Sequence, residues 1–114
     1  MSSKGHILCD LDGTLARYES GYVRSGVIGE PLEPMLERVK TALDAGEDVR
    51  IFTARVSRFG QTETEAEWHK SRVELWCVKH LGCVLPVTSE KDFNTVEIWD
   101  DRARRVLFND GNLA

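Results

Sequence analysis

The chain has 114 residues, 41% apolar and 30% charged, and this size and composition suit one globular domain with a real core and exclude a disordered chain. A net charge of -4 argues against broad binding of duplex nucleic acid or of an anionic membrane, while leaving room for a local cationic pocket. The longest apolar runs are a few residues, far short of the roughly 20 that span a bilayer, and no signal-peptide pattern opens the chain, so a cytoplasmic protein is expected.

In chain order, His6-Ile7-Leu8-Cys9 is a short apolar run ending in carboxylates, the pattern of a buried strand with a reactive C-terminal tip. Asp10 and Asp12 are thereby placed at a strand end. Cys9 reads as a buried neighbour of Asp10. Together with Cys77 and Cys83 it makes an odd set without Cys-x-x-Cys spacing, so neither a disulfide framework nor a zinc site is indicated. All three are expected to be reduced and mostly buried. Residues 16–32 carry Gly21, Gly26, Gly29 and Pro31 among Tyr22, Val23, Val27 and Ile28, which suits an irregular hairpin or flap.

From Pro34, apolar residues fall at Met35, Leu36, Val39, Ala42 and Leu43, a helical period with Gly46 as its C-cap. A second strand, Val49 to Phe52, ends at Thr53, and a loop from Ala54 to Gln61 carries Arg55, Arg58 and Gly60. The next helix is expected from about Thr62 to His80, with Ala66, His69, Val73, Trp76, Cys77 and His80 on one face. The histidines read as core residues with hydrogen-bond partners, because no metal-type spacing accompanies them. Trp68 and Leu75, to one side of that face, are expected to widen the core. Val84 to Val87 reads as a third strand, Val96 to Trp99 as a fourth ending at Asp100-Asp101, and Val106 to Phe108 as a short fifth. This alternation predicts one α/β domain over residues 1–114, with a parallel sheet and right-handed crossovers.

In open parallel sheets, ligands bind beyond the carboxyl ends of the strands, so residues distant in sequence converge there. Those ends supply Asp10, Asp12, Thr53, Asp100 and Asp101, and Lys91 lies just upstream of the fourth strand. Several carboxylates cannot crowd together and all ionise without a cation. An oxygen-only donor set of Asp10, Asp12, Asp100 and Asp101 points to magnesium, which also holds substrate phosphate. A carboxylate can attack phosphorus, and Asp10 has the position for it. Asp12 points the same way and can protonate the leaving oxygen, then deprotonate the attacking water. Gly13 lets the chain turn. Thr53 with the nearby amides of Ala54 and Arg55 would bind phosphoryl oxygens, and Lys91 would neutralise charge.

The run Asp10-Leu11-Asp12-Gly13-Thr14, then Thr53 closing Ile51-Phe52-Thr53, then Lys91, then Asp100-Asp101 after Ile98-Trp99, resembles the four motifs of the haloacid dehalogenase (HAD-like) superfamily of phosphohydrolases. The resemblance spans residues 6–101. It implies a three-layer Rossmann-like α/β core with helices flanking the sheet, an aspartyl-phosphate intermediate and Mg2+. An Asp two residues after the nucleophile looks like the phosphatase type. By the same resemblance Asp101 is the favoured direct metal ligand, while Asp100 orients the lysine.

Members of that superfamily often carry a cap domain, for which this chain has no room, so it looks like the capless type. An uncapped pocket admits either a small phosphorylated molecule or the phosphate end of a macromolecule, and a neighbouring subunit in a homo-oligomer is another means of covering it. Arg17, Arg24, Arg55, Arg58 and Arg102 are all expected on the catalytic side, where they would favour a second anionic group, as in a nucleotide, an oligonucleotide end or a sugar bisphosphate. Two other readings compete. One is a phosphate-responsive signalling module, which the order of Thr53, Lys91 and the terminal acidic pair opposes. The other is a non-catalytic binding protein that keeps the fold.

Overall fold

Residues 5–114 are described by the computed structural model, so the first four residues of the expected 1–114 domain lie outside the described residues. The elements run β1 (His6–Asp10), α1 (Tyr22–Ser25), α2 (Glu33–Asp44), β2 (Asp48–Phe52), a 3-10 turn (Ala54–Val56), α3 (Glu63–Leu81), β3 (Val87–Thr88) and β4 (Thr95–Trp99). All strand pairs are parallel, in the order β3-β2-β1-β4.

β1 is buried over its first four residues, as expected for a strand with neighbours on both sides. Beyond it, the flap closes at its base, where the Arg17 N–H donates to Glu30 O and the Leu32 N–H to Leu15 O, each at 2.8 Å. The single turn of α1 forms its tip. α2 begins with Pro34 in its first turn, where a missing N–H costs nothing. It ends at Asp44, with Ala45 as the cap residue and Gly46 beyond it at φ +83°.

α3 starts at a capping box. The Thr62 hydroxyl accepts from the Glu65 N–H at 3.1 Å, and the Glu65 carboxylate accepts from the Thr62 N–H at 2.8 Å. Ala66, Val73, Trp76 and Cys77 are its buried face. Trp68 and Leu75 do not join the core, being 46% and 68% exposed. They are set off from the buried stripe, and Trp68 instead lies against the flap, with its ring beside Gly26 and the Arg72 guanidinium 5.0 Å from its centroid. The histidines also depart from expectation. His69 Nδ1 is buried without a hydrogen-bond partner among the described residues, and the His80 ring lies tilted beside Trp76 at 4.6 Å.

Register partners in a parallel sheet share a face. Ile7, Cys9, Val49, Ile51, Val87 and Trp99 are linked by register or by two-residue spacing, and all belong to the one core cluster that Leu36, Val39, Val73, Trp76 and Cys77 also join. Both long helices therefore lie on one face. Successive right-handed crossovers from β1 to β2 to β3 require this. The expected three layers are thus corrected to two among the described residues. A second helical layer would have to come from the β3–β4 connection, and residues 89–94 are too few for a crossover helix, which needs about 10.

Two strand expectations are also corrected. The third strand is reduced to Val87–Thr88, because Pro86 has no N–H for the ladder, although its carbonyl accepts from Ile51 at 2.8 Å. No fifth strand forms at Val106 to Phe108. The chain turns back through Asn109 at φ +57° and Gly111 at +86°, leaving a lone antiparallel bridge between Val106 and Leu113. β4 is consequently an edge strand. No helix among the described residues is long and apolar enough to cross a membrane. Cys9 and Cys77 are buried as expected, whereas Cys83 is exposed.

Candidate functional site

The connections run from β1 to β2 to β3 in one direction and then return across the sheet to β4. The reversal falls between β1 and β4, and a crevice at such a switch point is where open α/β sheets bind ligands. Asp10 ends β1, and Asp100 with Asp101 follows β4, whose Trp99 is in register with Cys9. Carboxylate oxygens of Asp10, Asp100 and Asp101 lie within 4.8 Å of one another. Beside them is a groove of about 520 Å³ lined by Gly13, Thr14, Met35, Arg38 and Trp99.

A tight turn after β1 holds this group together. The amides of Thr14, Leu15 and Ala16 all donate to Leu11 O, and buried Leu11, Leu15 and Ala16 anchor the turn in the core. Gly13 sits at φ +88°, and a Cβ there would come 3.2 Å from the Asp101 carboxylate, so the position requires glycine for both conformation and space. The Thr14 hydroxyl lies 2.7 Å from Asp101 Oδ1 and 3.1 Å from Asp10 Oδ2, and it accepts from the Asp101 N–H at 3.0 Å. Its single proton serves one carboxylate at a time.

Burial pushes the Asp10 carboxyl up to about 7, reinforced by its hydrogen bond with Asp101 and the charge of Asp100, with Thr14 opposing. Asp101 is held below the usual carboxylate range, chiefly by the Thr14 hydroxyl. Without a cation, the pair therefore holds one shared proton near neutrality, with Asp10 as the protonated partner. A cation removes the need for that proton. All donors here are oxygens within 4.8 Å of one another, so their chemistry is compatible with a hard divalent ion.

The other expected residues divide. Thr53 is buried at the end of β2 beside Asp10, whose register partner is Phe52. Its Oγ1 accepts from the Arg55 N–H at 3.2 Å, while its own proton has no acceptor among the described residues. Ala54 is exposed at the start of the 3-10 turn. The carboxylate of Asp12 does not join the three-acid group. It is held by Arg55 in a two-point ion pair, Nε to Oδ2 and Nη2 to Oδ1, each 2.8 Å. Arg55 itself was expected to face substrate, but it is only 3% exposed. Burial against Asp12 and the flap explains the difference.

Lys91 makes no ion pair with Asp10. It is exposed in the β3–β4 connection with no hydrogen bond or ion pair to a described residue, and the chain there heads for the opposite end of the sheet, where Asp92 lies 3.8 Å from His6 Nε2. Among the rim arginines, Arg17 is paired with Glu19 at 3.0 Å, and Arg24, Arg58 and Arg102 are exposed. Two residues of the site were not anticipated in these roles. Thr14 clamps the acids, a role its place in the Asp10–Thr14 run suggests. Arg38 lines the groove and lies over Trp99 at 5.8 Å, and its signal is its position in the first turns of a helix that starts at the edge of the sheet where the three acids meet. Comparison with protein-family models, curated proteins and solved structures finds no match to this chain.

Proposed function

We propose that the chain is a magnesium-dependent phosphomonoester hydrolase that works through an aspartyl-phosphate on Asp10. The observation that carries this reading is the meeting of Asp10 with Asp100 and Asp101 at the switch point of the sheet. The resemblance of the four motifs to the HAD-like superfamily supports it.

Asp10 Oδ attacks phosphorus in line with the leaving oxygen, forming an acyl phosphate as the P–O ester bond breaks. Asp12, entering each cycle with the proton that the preceding water attack left on it, gives that proton to the departing alkoxide. It then takes a proton from water, whose oxygen attacks phosphorus and releases inorganic phosphate and the Asp10 carboxylate. The free hydroxyl proton of Thr53 and the amide of Ala54 are suited to donate to phosphoryl oxygens. Bound by Asp10, Asp100 and Asp101, magnesium would neutralise the acids and the phosphoryl oxygens. With no ion pair between Lys91 and Asp10 among the described residues, that neutralisation rests on the cation. Among the described residues the flap and the 3-10 turn follow strand ends that carry the site and could cover it, which suits a capless enzyme acting on an exposed phosphate of a nucleotide, a nucleic-acid end or a sugar. Arg55, buried in its pair with Asp12, is withdrawn from binding a second anion, whereas the pair of Arg17 with Glu19 is exposed to solvent.

Hydrolysis of an aryl phosphate with magnesium, abolished by chelation and by Asp10→Asn, is the expected result. Undiminished turnover in Asp10→Asn would rule out the mechanism, and inactivity of the wild type with every divalent ion and phosphomonoester would rule out the reaction.

A further inference from the structure

We propose that Arg55 is a positioning residue for proton transfer, fixing the Asp12 carboxylate and tying it to the flap. This rests on the phosphatase reading above. The guanidinium makes both bonds to Asp12 through Nε and Nη2, and Nη2 also donates to the flap carbonyl of Val27 at 2.7 Å. Its backbone is pinned as well. The Arg55 N–H donates to Thr53 Oγ1, and Gln61 Nε2 donates to Arg55 O at 2.8 Å, so the residue next to the phosphoryl cradle also sets the direction of the arginine.

Packing does not explain a guanidinium here. The side chain is 1% exposed, Nη1 is buried with no partner, and His69 Nδ1 is also buried and unpartnered. An apolar side chain of similar volume would fill the same space without stranding the Nη1 N–H groups. What an apolar residue cannot do is grip both oxygens of one carboxylate in a fixed plane. That grip keeps Asp12 off the three-acid group, which Asp10, Asp100 and Asp101 form without it. Asp12 is thus reserved for protons and Asp10 for phosphorus. Because Val27 belongs to the flap, a flap that lifts away from the site removes one of the bonds that hold Arg55. Placement of Asp12 is thereby linked to flap closure.

The test compares kcat/KM on an aryl phosphate, whose leaving group departs without a proton, and on an alkyl phosphate, whose leaving group needs one. Wild-type activity on both is measured first, and its absence defeats the phosphatase reading itself. In Arg55→Lys the alkyl phosphate is expected to lose about 100-fold and the aryl phosphate less than about 10-fold, the scale of general acid catalysis. Arg55→Lys combined with Asp12→Asn should be no worse than Asp12→Asn alone. Arg55→Met, matched in volume, should be folded by circular dichroism and show the same steepened dependence on leaving group. Equal losses on both substrates would overturn the proposal in favour of substrate binding, and multiplied losses in the double variant would overturn it too. Loss of the native fold in both Arg55→Lys and Arg55→Met would make Arg55 a structural residue and equally overturn it.

Discussion

Replacing Thr14 by valine keeps the shape of a side chain that is 9% exposed and removes only its hydroxyl. That oxygen donates to a carboxylate at 2.7–3.1 Å and accepts from the Asp101 N–H. A donation to an ionised group contributes about 1.5–3 kcal/mol and a neutral bond about 1, so a net loss of about 2–3 kcal/mol is expected once solvent reaches the partly exposed acids. For a domain near this size, that lowers Tm by roughly 10 °C. The same bond is the first cause that holds Asp101 low and the one influence that lowers Asp10. Its loss raises the proton affinity of the pair, so magnesium must compete with a more tightly held proton at pH 7. Thermal denaturation with and without magnesium, together with a calorimetric magnesium titration, reads both effects. A Tm within about 2 °C of wild type and an unchanged magnesium affinity would refute the clamp role of Thr14.

The shared proton makes a second prediction with a definite sign. A carboxyl raised from 3.8 to about 7 in the fold stabilises the metal-free protein fully below pH 3.8 and loses that contribution as pH rises to about 7. Asp10→Asn, which carries no titrating group there, should match wild type near pH 4 and exceed it at pH 8 by about 1–2 kcal/mol, screened because Asp10 is only half-buried. Added magnesium should reverse the order, and a difference independent of pH would contradict the shared proton. Thr62→Ala breaks the capping box of α3 and should cost about 1 kcal/mol, or roughly 4 °C in Tm. Burial pushes the Cys9 and Cys77 thiols up to about 12 and about 11, so at pH 8 a thiol reagent should modify Cys83 alone in the native protein, as read by peptide mass.

The parts of the fold legible in the sequence were those whose cause is local. The apolar run before Asp10, the period of α2 and the start of α3 near Thr62 each have a cause within one element, and their boundaries shift by only a residue or two. Pro86 carried a local signal against a long third strand, and the six residues of the β3–β4 connection implied the missing helical layer once the strand ends were known. Side-chain direction was less legible. The position of Arg55 just after Thr53 suggested an anion-facing group, whereas its direction depends on Asp12, 43 residues earlier, and on the carbonyl of Val27. Likewise, the order of Asp10, Thr53, Lys91 and Asp101 gives the sequence of the strands but not the reach of Lys91, which hangs on how steeply the chain drops from β3 to the start of β4. Trp68 looked like core because it is large and apolar, but the flap offers it Gly26 and Arg72 as a partial cover.

Attack by Asp10 on phosphorus leaves Asp10 covalently phosphorylated during turnover. The direct measurement is acid quenching during turnover of a phosphomonoester with magnesium, followed by borohydride reduction and peptide mass analysis. Reduction to homoserine at Asp10, dependent on both substrate and magnesium, is the expected result. Turnover with no modification at Asp10 at any quench time, or modification confined to another carboxylate, would contradict it.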